Sequence, residues 1–391
     1  LSSAIAVTTD DLFTKVHNAI NKYGFTINYE QIKPEKKATY YEGIMDLGKS
    51  IDDFIKSKPD GWRLYNHQYL AAKAAKDGHN VCIATSTSSG KTAIFHMSAL
   101  ELLEQDPKAR ILAIYPMKAL GKQQESEWKK VFSKFGCGRI DGSISKTDRL
   151  EILKNCQIVT ITPDTLHTFL LGALKDTSCN KTIKDFLRNL KLVIIDEVHL
   201  YKGMLGSNSA YLFRRLNSCI KVLTNKIPQY ITASATIADP EEHSKTITGI
   251  SDNWKLIGPD KDSSFSAETD VILSTVVGND RIANFLKDVS DLNSHSIAFF
   301  DSRKEVSELA MNIIGAEDMA DAGFYPFKAN MEDTDYQAIT EALGQGKFKG
   351  VISTSSLEVG IDIKDLDIAI LYGVPVSSTS LYQRMGRVGR N

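Results

Sequence analysis

The sequence predicts an α/β protein: parallel sheets flanked by helices, in two successive domains behind an N-terminal helical extension. Three observations carry this. Residues 80–103 run from a short apolar segment (Val81, Cys82, Ile83, Ala84) through a small polar loop to Ile94, Met97, Leu100 and Leu103 at helical spacing. Apolar runs closed by polar loops recur at 109–115, 158–161, 190–195 and 229–233. The second half repeats the alternation at 296–300, 350–353 and 366–371.

Composition sets the bounds. A chain of 391 residues with 42% hydrophobic and 24% charged residues is ordinary globular protein of two or three domains. A net charge of −1 excludes a bulk polycation, so any nucleic-acid site must be a local groove. The five cysteines show no CxxC pairing, which fits reduced thiols in a cytoplasmic protein. No stretch approaches the ~18 apolar residues of a membrane span. The chain begins at Leu1 rather than Met, and LSSAIAV is too short for a signal segment; both suggest a piece of a longer protein.

Taken in order, residues 1–60 read as helices. Leu12, Val16, Ala19 and Ile20 share one face, and Ile44, Leu47, Ile51, Phe54 and Ile55 form a second stripe. GWRLYNHQ (61–68) precedes the first strand, and the Gln68 amide has the donor and acceptor needed to read an adenine edge. The loop Thr85 to Ser89, followed by Gly90-Lys91-Thr92, reads as a phosphate-binding loop. Backbone N–H groups and the helix dipole would surround phosphates, Lys91 would reach the β- and γ-phosphates, and Thr92 would hold Mg²⁺. Gly-Lys-Ser/Thr alone arises by chance in roughly one chain in five of this length. Here Thr85 also replaces the usual first glycine, so the signal rests on its strand and helix flanks.

The later strands end in Pro116-Met117-Lys118, in Gly142 of RIDGS, and in Thr162-Pro163-Asp164. Singly, each is an ordinary capped βα loop, placed where open parallel sheets bind ligands. The run NLKLVII ends in Asp196-Glu197-Val198-His199. Two carboxylates at a buried strand end are costly unless they meet a cation. Asp196 would bind Mg²⁺ and Glu197 would polarise water. Ser234-Ala235-Thr236 closes the next strand and could couple the site to the second domain. GPDKDSSFS (258–266) is the linker candidate, so the expected domains are 1–60, 61–258 and 259–391. In the second half, helix faces at 306–313 and 335–343 alternate with the strands. Arg384, Arg387 and Arg390 are three apart, as on one helix face, and opposite a γ-phosphate they would act as arginine fingers.

The ordered set TSTSSGKT, YPMKAL, TPD, DEVH, SAT, DSR, STSSLEVGID and QRMGRVGR resembles motifs I, Ia, Ib, II, III, IV, V and VI of superfamily 2 helicases, and LYNHQ resembles their Q motif. DEVHLYKGMLGSNSAYLFRRL, SATIADP and LEVGIDIKDLDIAIL are most similar to the RecQ-like DNA repair helicases that carry a cysteine-rich metal-binding domain, absent from these 391 residues. The resemblance implies two RecA-like domains and ATP-dependent 3′ to 5′ translocation on single-stranded or tailed duplex DNA. It places ATP and Mg²⁺ against Gln68, Thr87, Ser88, Ser89, Gly90, Lys91, Thr92, Asp196 and Glu197 from the first domain. Gly360, Asp362, Gln383, Arg387 and Arg390 would come from the second. Pro116, Lys118, Gly142, Thr162, Asp164, Arg303 and Thr354 would hold nucleic acid, and His199, Ser234 and Thr236 would couple the sites. Ser88 stands where many members have Gly or Ala, which matters only if the loop needs a positive φ there. Ala329-Asn330-Met331 falls where relatives often have a His-containing turn. Two rivals remain, a double-strand translocase without unwinding and a nucleotide-gated clamp; intact Lys91, Asp196, Glu197 and Arg387 argue against the clamp.

Overall fold

The apolar runs behave as buried parallel strands because their alternate residues feed two different cores. In Leu190–Ile195, Leu192 and Ile194 pack into one hydrophobic cluster while Val193 and Ile195 pack into another. A strand covered on both faces has no polar side to expose, so its sequence is apolar apart from half-buried Lys191 near its start.

The structure is a computed structural model that describes residues 2–7, 10–234, 237–276, 278–292, 294–302, 304, 324–327, 350–354, 366–373, 375 and 377–389. Its strands in chain order are β1 (Ser2–Val7), β2 (Thr26–Lys33), β3 (Asn80–Ile83), β4 (Arg110–Ile114), β5 (Cys137–Ile140), β6 (Ile158–Ile161), β7 (Leu190–Ile195), β8 (Gln229–Ala233), β9 (Trp254–Ile257), β10 (Thr269–Thr275), β11 (Ser296–Phe300), β12 (Phe324–Phe327), β13 (Gly350–Ser353) and β14 (Ile368–Tyr372). The chain divides into two units, one of residues 39–264 and one of residues 1–38 with 265–391.

Among the described residues, the 39–264 unit holds a seven-stranded sheet in the order β5-β6-β4-β7-β8-β3-β9, every pairing parallel. Helices Lys49–Lys56, Asn66–Lys76 and Lys91–Gln105 cover one face, contributing Phe54, Ala71 and Phe95. Helices Asn180–Asn189, Gly203–Thr224 and Pro240–Thr248 cover the other, contributing Phe186, Phe213 and Ile247.

The other unit holds the order β12-β13-β11-β14-β1-β10-β2. Its first four strands are parallel, and β1, β10 and β2 extend the sheet through antiparallel pairings. This corrects the expected helical extension. Residues 10–22 are helical, with Leu12, Val16 and Ile20 buried, but β1 and β2 on either side of that helix are strands of this sheet. In β1, Ile5 and Val7 enter one core and Ala6 the other, so the segment fills the slot between β14 and β10. β2 is mostly exposed and polar, which is why its strand character was hidden. In the second stripe Leu47, Ile51 and Phe54 are buried, whereas Ile44 is exposed. The unit boundary after Ser264 puts 259–264 with the first sheet rather than the second. The helix faces expected at 306–313 and 335–343 lie outside the described residues, as do Ala329, Asn330 and Met331.

The five cysteines are free thiols. Among the described residues, no helix is long and apolar enough to cross a membrane.

Candidate nucleotide and nucleic-acid site

Because the first sheet is all parallel, its strands end at one edge, and the loops the sequence singled out leave from that edge. The phosphate loop follows β3, Asp196 and Glu197 follow β7, and Ser234 follows β8. Pro116 and Lys118 follow β4, Gly142 follows β5, and Thr162 and Asp164 follow β6. The strand order therefore groups the candidates: those expected at ATP follow β7, β8 and β3, and those expected at nucleic acid follow β5, β6 and β4.

The phosphate loop is held by its own side chains and by a neighbouring helix. Thr85 and Ser89 hydroxyls lie 2.6 Å apart, both buried. Lys91 Nζ donates to the Ser86 and Thr85 carbonyls at 2.7 and 3.2 Å. Gly90 caps the Lys91–Gln105 helix at φ 77°, and a Cβ there would collide with the Gln68 amide. Ser88 sits at φ 61°, so the loop does require a positive φ at this serine. The Gln68 Nε2 donates to the Gly90 carbonyl at 3.1 Å, and its Oε1 accepts from Tyr65 N at 3.0 Å. In this arrangement an adenine edge would compete with those partners. Thr87 and Thr92 are half-buried and Ser88 is exposed.

Asp196 is buried beside this loop's lysine in electrostatic terms. Burial and the neighbouring Glu197 charge push its carboxyl up to about 7, while Lys91 and the Glu197 N–H pull it down. That N–H donates to Asp196 Oδ1 at 2.9 Å. Glu197 adopts φ 51°, a left-handed conformation rare for such a residue. Its Oε2 lies 3.3 Å from His199 Nδ1. Burial, with the positive charges of Lys202 and Lys91, lowers His199 to about 3, so its ring is neutral. Ser234 is buried and donates its N–H to the Ile83 carbonyl, tying β8's end to the strand that leads into the loop. A hard divalent cation fits this donor set: a buried carboxylate whose ionised form Lys91 and the Glu197 N–H compensate only in part, and a threonine hydroxyl at the loop.

On the nucleic-acid side, Lys118 is exposed and opens the Lys118–Val131 helix. A Cβ on exposed Gly142 would lie 3.3 Å from its Nζ, so these two candidates are neighbours. Thr162 is buried and its hydroxyl pairs with that of Thr165 at 3.0 Å; Asp164 is exposed and Pro116 half-buried.

In the other unit, Gln383, Arg387 and Thr354 are buried. Arg384 and Arg387 do not share one helix face as expected. The Ser378–Met385 helix stops at Gly386, and Arg387 follows in a turn. Arg384 lies 3.4 Å from Asp301 and over the Phe299 ring at 5.4 Å, packing the helix onto the end of β11. Arg303, Gly360, Asp362, Arg390 and Thr236 lie outside the described residues.

Residues 65–243 match the DEAD/DEAH box helicase family and residues 280–391 match the helicase conserved C-terminal domain. The chain belongs to the DEAD/DEAH box helicases of superfamily 2. The chain is 31% identical to "ATP-dependent helicase HRQ1" of Saccharomyces cerevisiae, over 94% of its own length and 35% of the yeast protein. It is 30% identical to the ATP-dependent helicase YprA of Bacillus subtilis, over 93% of its length and 49% of that protein. The crystal structure of the DUF1998 helicase MrfA bound to DNA and AMPPNP superposes with a TM-score of 0.83 at 25% identity, covering 98% of this chain and 54% of MrfA. The chain thus spans about a third to a half of these relatives, and the likeness to MrfA covers both RecA-like domains.

Sequence reasoning missed His67, Asp262 and Ser263. His67 Nε2 reaches the Ser89 carbonyl at 2.9 Å, and Asp262 Oδ2 accepts from Ser86 N at 2.8 Å. The available signal was the Asp-Ser-Ser run in the linker, residue types that hydrogen-bond nearby backbone.

Proposed function

We propose that this chain is the ATP-hydrolysing motor core of a DNA helicase, moving 3′ to 5′ on single-stranded or tailed duplex DNA. The observation that carries the reading is geometric: the 85–92 loop after β3 leaves the same edge of one parallel sheet as the end of β7, which carries Glu197 and the buried carboxyl of Asp196. Such a group is stabilised in its ionised form by a cation bound to a polyphosphate.

Lys91 exchanges its loop carbonyls for the β- and γ-phosphates of ATP. Glu197 orients the attacking water and accepts its proton as the bond to the γ-phosphorus forms and ADP leaves. Mg²⁺, held by Thr92 and Asp196, would neutralise charge on the phosphate oxygens. Gln383, Arg387 and Arg390 would supply positive charge and donors from the second domain, and Gly360 and Asp362 belong to the same expected set. Closure on ATP and release after hydrolysis follow, because only the triphosphate engages both sets. Lys118, Gly142, Thr162, Arg303 and Thr354, with Pro116 and Asp164, line the strand's path through phosphate contacts, so binding is salt-sensitive and largely sequence-independent. His199, Ser234 and Thr236 link the two sites. HRQ1 and YprA are named ATP-dependent helicases and the MrfA crystal held DNA and AMPPNP, which supports the substrate classes.

Phosphate release with and without single-stranded DNA is the test. Wild-type protein should be stimulated by DNA. Lys91→Ala and Glu197→Gln should each lose at least ~100-fold in turnover; retained hydrolysis in both would sink the assignment. Displacement of one strand of a 3′-tailed duplex separates a helicase from a double-strand translocase.

A further inference from the structure

The chain crosses between its two units twice, at 38–39 and at 264–265. The residues next to the crossings are paired within each unit. Lys36 and Ser266 exchange both backbone hydrogen bonds, at 2.8 and 3.0 Å, and Thr39 N donates to the Ser263 carbonyl at 2.9 Å. A paired ribbon is stiffer than a single linker, so a displacement at one end reaches the other.

That ribbon is also bonded to the phosphate loop, through two contacts that the function above does not use. The first is Asp262. Its carboxylate accepts from Ser86 N at 2.8 Å, and from Ser264 N and Oγ at 3.0 and 2.6 Å. Burial pushes this carboxyl up, but the Ser264 and Ser86 hydrogen bonds outweigh it and hold the group well below the usual carboxylate range. The second is His67. Ser263 Oγ accepts from His67 N at 3.0 Å and pairs with its Nδ1 at 2.8 Å, while Nε2 donates to the Ser89 carbonyl at 2.9 Å. The Nε2–H tautomer satisfies all of these at once, because Nδ1 then accepts from Ser263.

Ser86 is the shared piece. Its N–H is held by Asp262 and its carbonyl by Lys91. Phosphates that draw Lys91 away therefore release one side of a residue whose other side is fastened to the crossing segment. On the far side of that segment, Ala267 N lies 3.4 Å from the Gly389 carbonyl, beside Arg387.

We propose that Asp262 and the His67–Ser263 pair are positioning residues that transmit the state of the phosphate loop to the paired crossing segments. The inference rests on the reading of 85–92 as the loop that binds ATP phosphates. It assigns to these residues not phosphate binding but the coupling of phosphate binding to domain movement.

The experiment uses the full chain carrying Asp262→Asn, which preserves shape, or Ser263→Ala, with a fluorescent pair placed one dye in each unit. Three quantities are read: AMPPNP affinity, DNA-stimulated turnover, and the dye-distance change on adding AMPPNP and DNA. Both variants should bind AMPPNP within about threefold of wild type, lose about tenfold or more in turnover, and lose most of the distance change. Wild-type turnover and movement in both variants would overturn the proposal. So would a loss of affinity as large as the loss of turnover, which marks a merely structural contact. Lys91→Ala, run in parallel, separates the two readings: if it still hydrolyses ATP, the site assignment has failed rather than the coupling.

Discussion

Four non-glycine residues adopt positive φ among the described residues: Ser88, Glu197, Asn225 and Asn253. Asparagine tolerates that region, whereas serine and glutamate are strained there, at about 1–2 kcal/mol each. Both strained residues lie in the loops proposed to face phosphate, where the surrounding hydrogen bonds over-determine the backbone. Asp196 adds an electrostatic strain of the same kind. Its pKa in the fold is raised, so the stability it contributes is present below about 3.8 and is lost as pH rises through about 7. Asp196→Asn removes that loss. At pH 8, without nucleotide or Mg²⁺, the variant should melt a few degrees above wild type by calorimetry, while its ATP turnover is abolished. A variant that melts lower would show that the carboxylate is compensated within the protein alone.

At the scale of the element, the strands read most directly were the ones buried on both faces. β3, β4, β6, β7, β8, β11, β13 and β14 are mostly apolar runs, and the loops after them carry the small and charged residues that named the candidates. Two kinds of element were obscure. β2 and β9 lie at the ends of their sheets and carry exposed polar residues, so neither shows a two-residue alternation. β1 is apolar, but its partners β10 and β14 are over 260 residues away, and no local pattern encodes such a pairing. The contacts of Gln68 and the linker were hidden for the same reason: hydrogen bonds between segments leave no periodic trace. β1 gives the prediction at this scale. Ile5 is fully enclosed in the core shared with Ile272 and Ile370, so Ile5→Ala should cost about 2–5 kcal/mol. Urea unfolding followed by a probe in residues 265–300 should show the lowered midpoint, and a probe in residues 80–230 should not. An unchanged midpoint would mean that the N-terminal strand is a dispensable appendage.

For the whole molecule, two buried histidines contribute to the response of the 39–264 unit to acid. His96 is enclosed by the rings of Phe54, Trp128 and Phe132, and its Nε2 has no hydrogen-bond partner among the described residues. Burial, then the Lys58 charge, lowers it to about 3. His199 is lowered to about 3 in the same way. A neutral buried imidazole contributes stability above its unfolded pKa of ~6.5, and that stability falls as pH drops toward 3, because the unfolded chain binds the proton the fold refuses. Asp196 acts in the opposite sense, so the wild-type profile is a compromise between them. His96→Phe isolates one limb. The ring fits an aromatic site and cannot titrate, so the variant should match or exceed wild-type stability at pH 7.5. Its advantage should widen steadily between pH 6.5 and 4 in thermal melts followed by a probe in this unit. An advantage that stayed constant with pH would mean that His96 takes up its proton inside the fold.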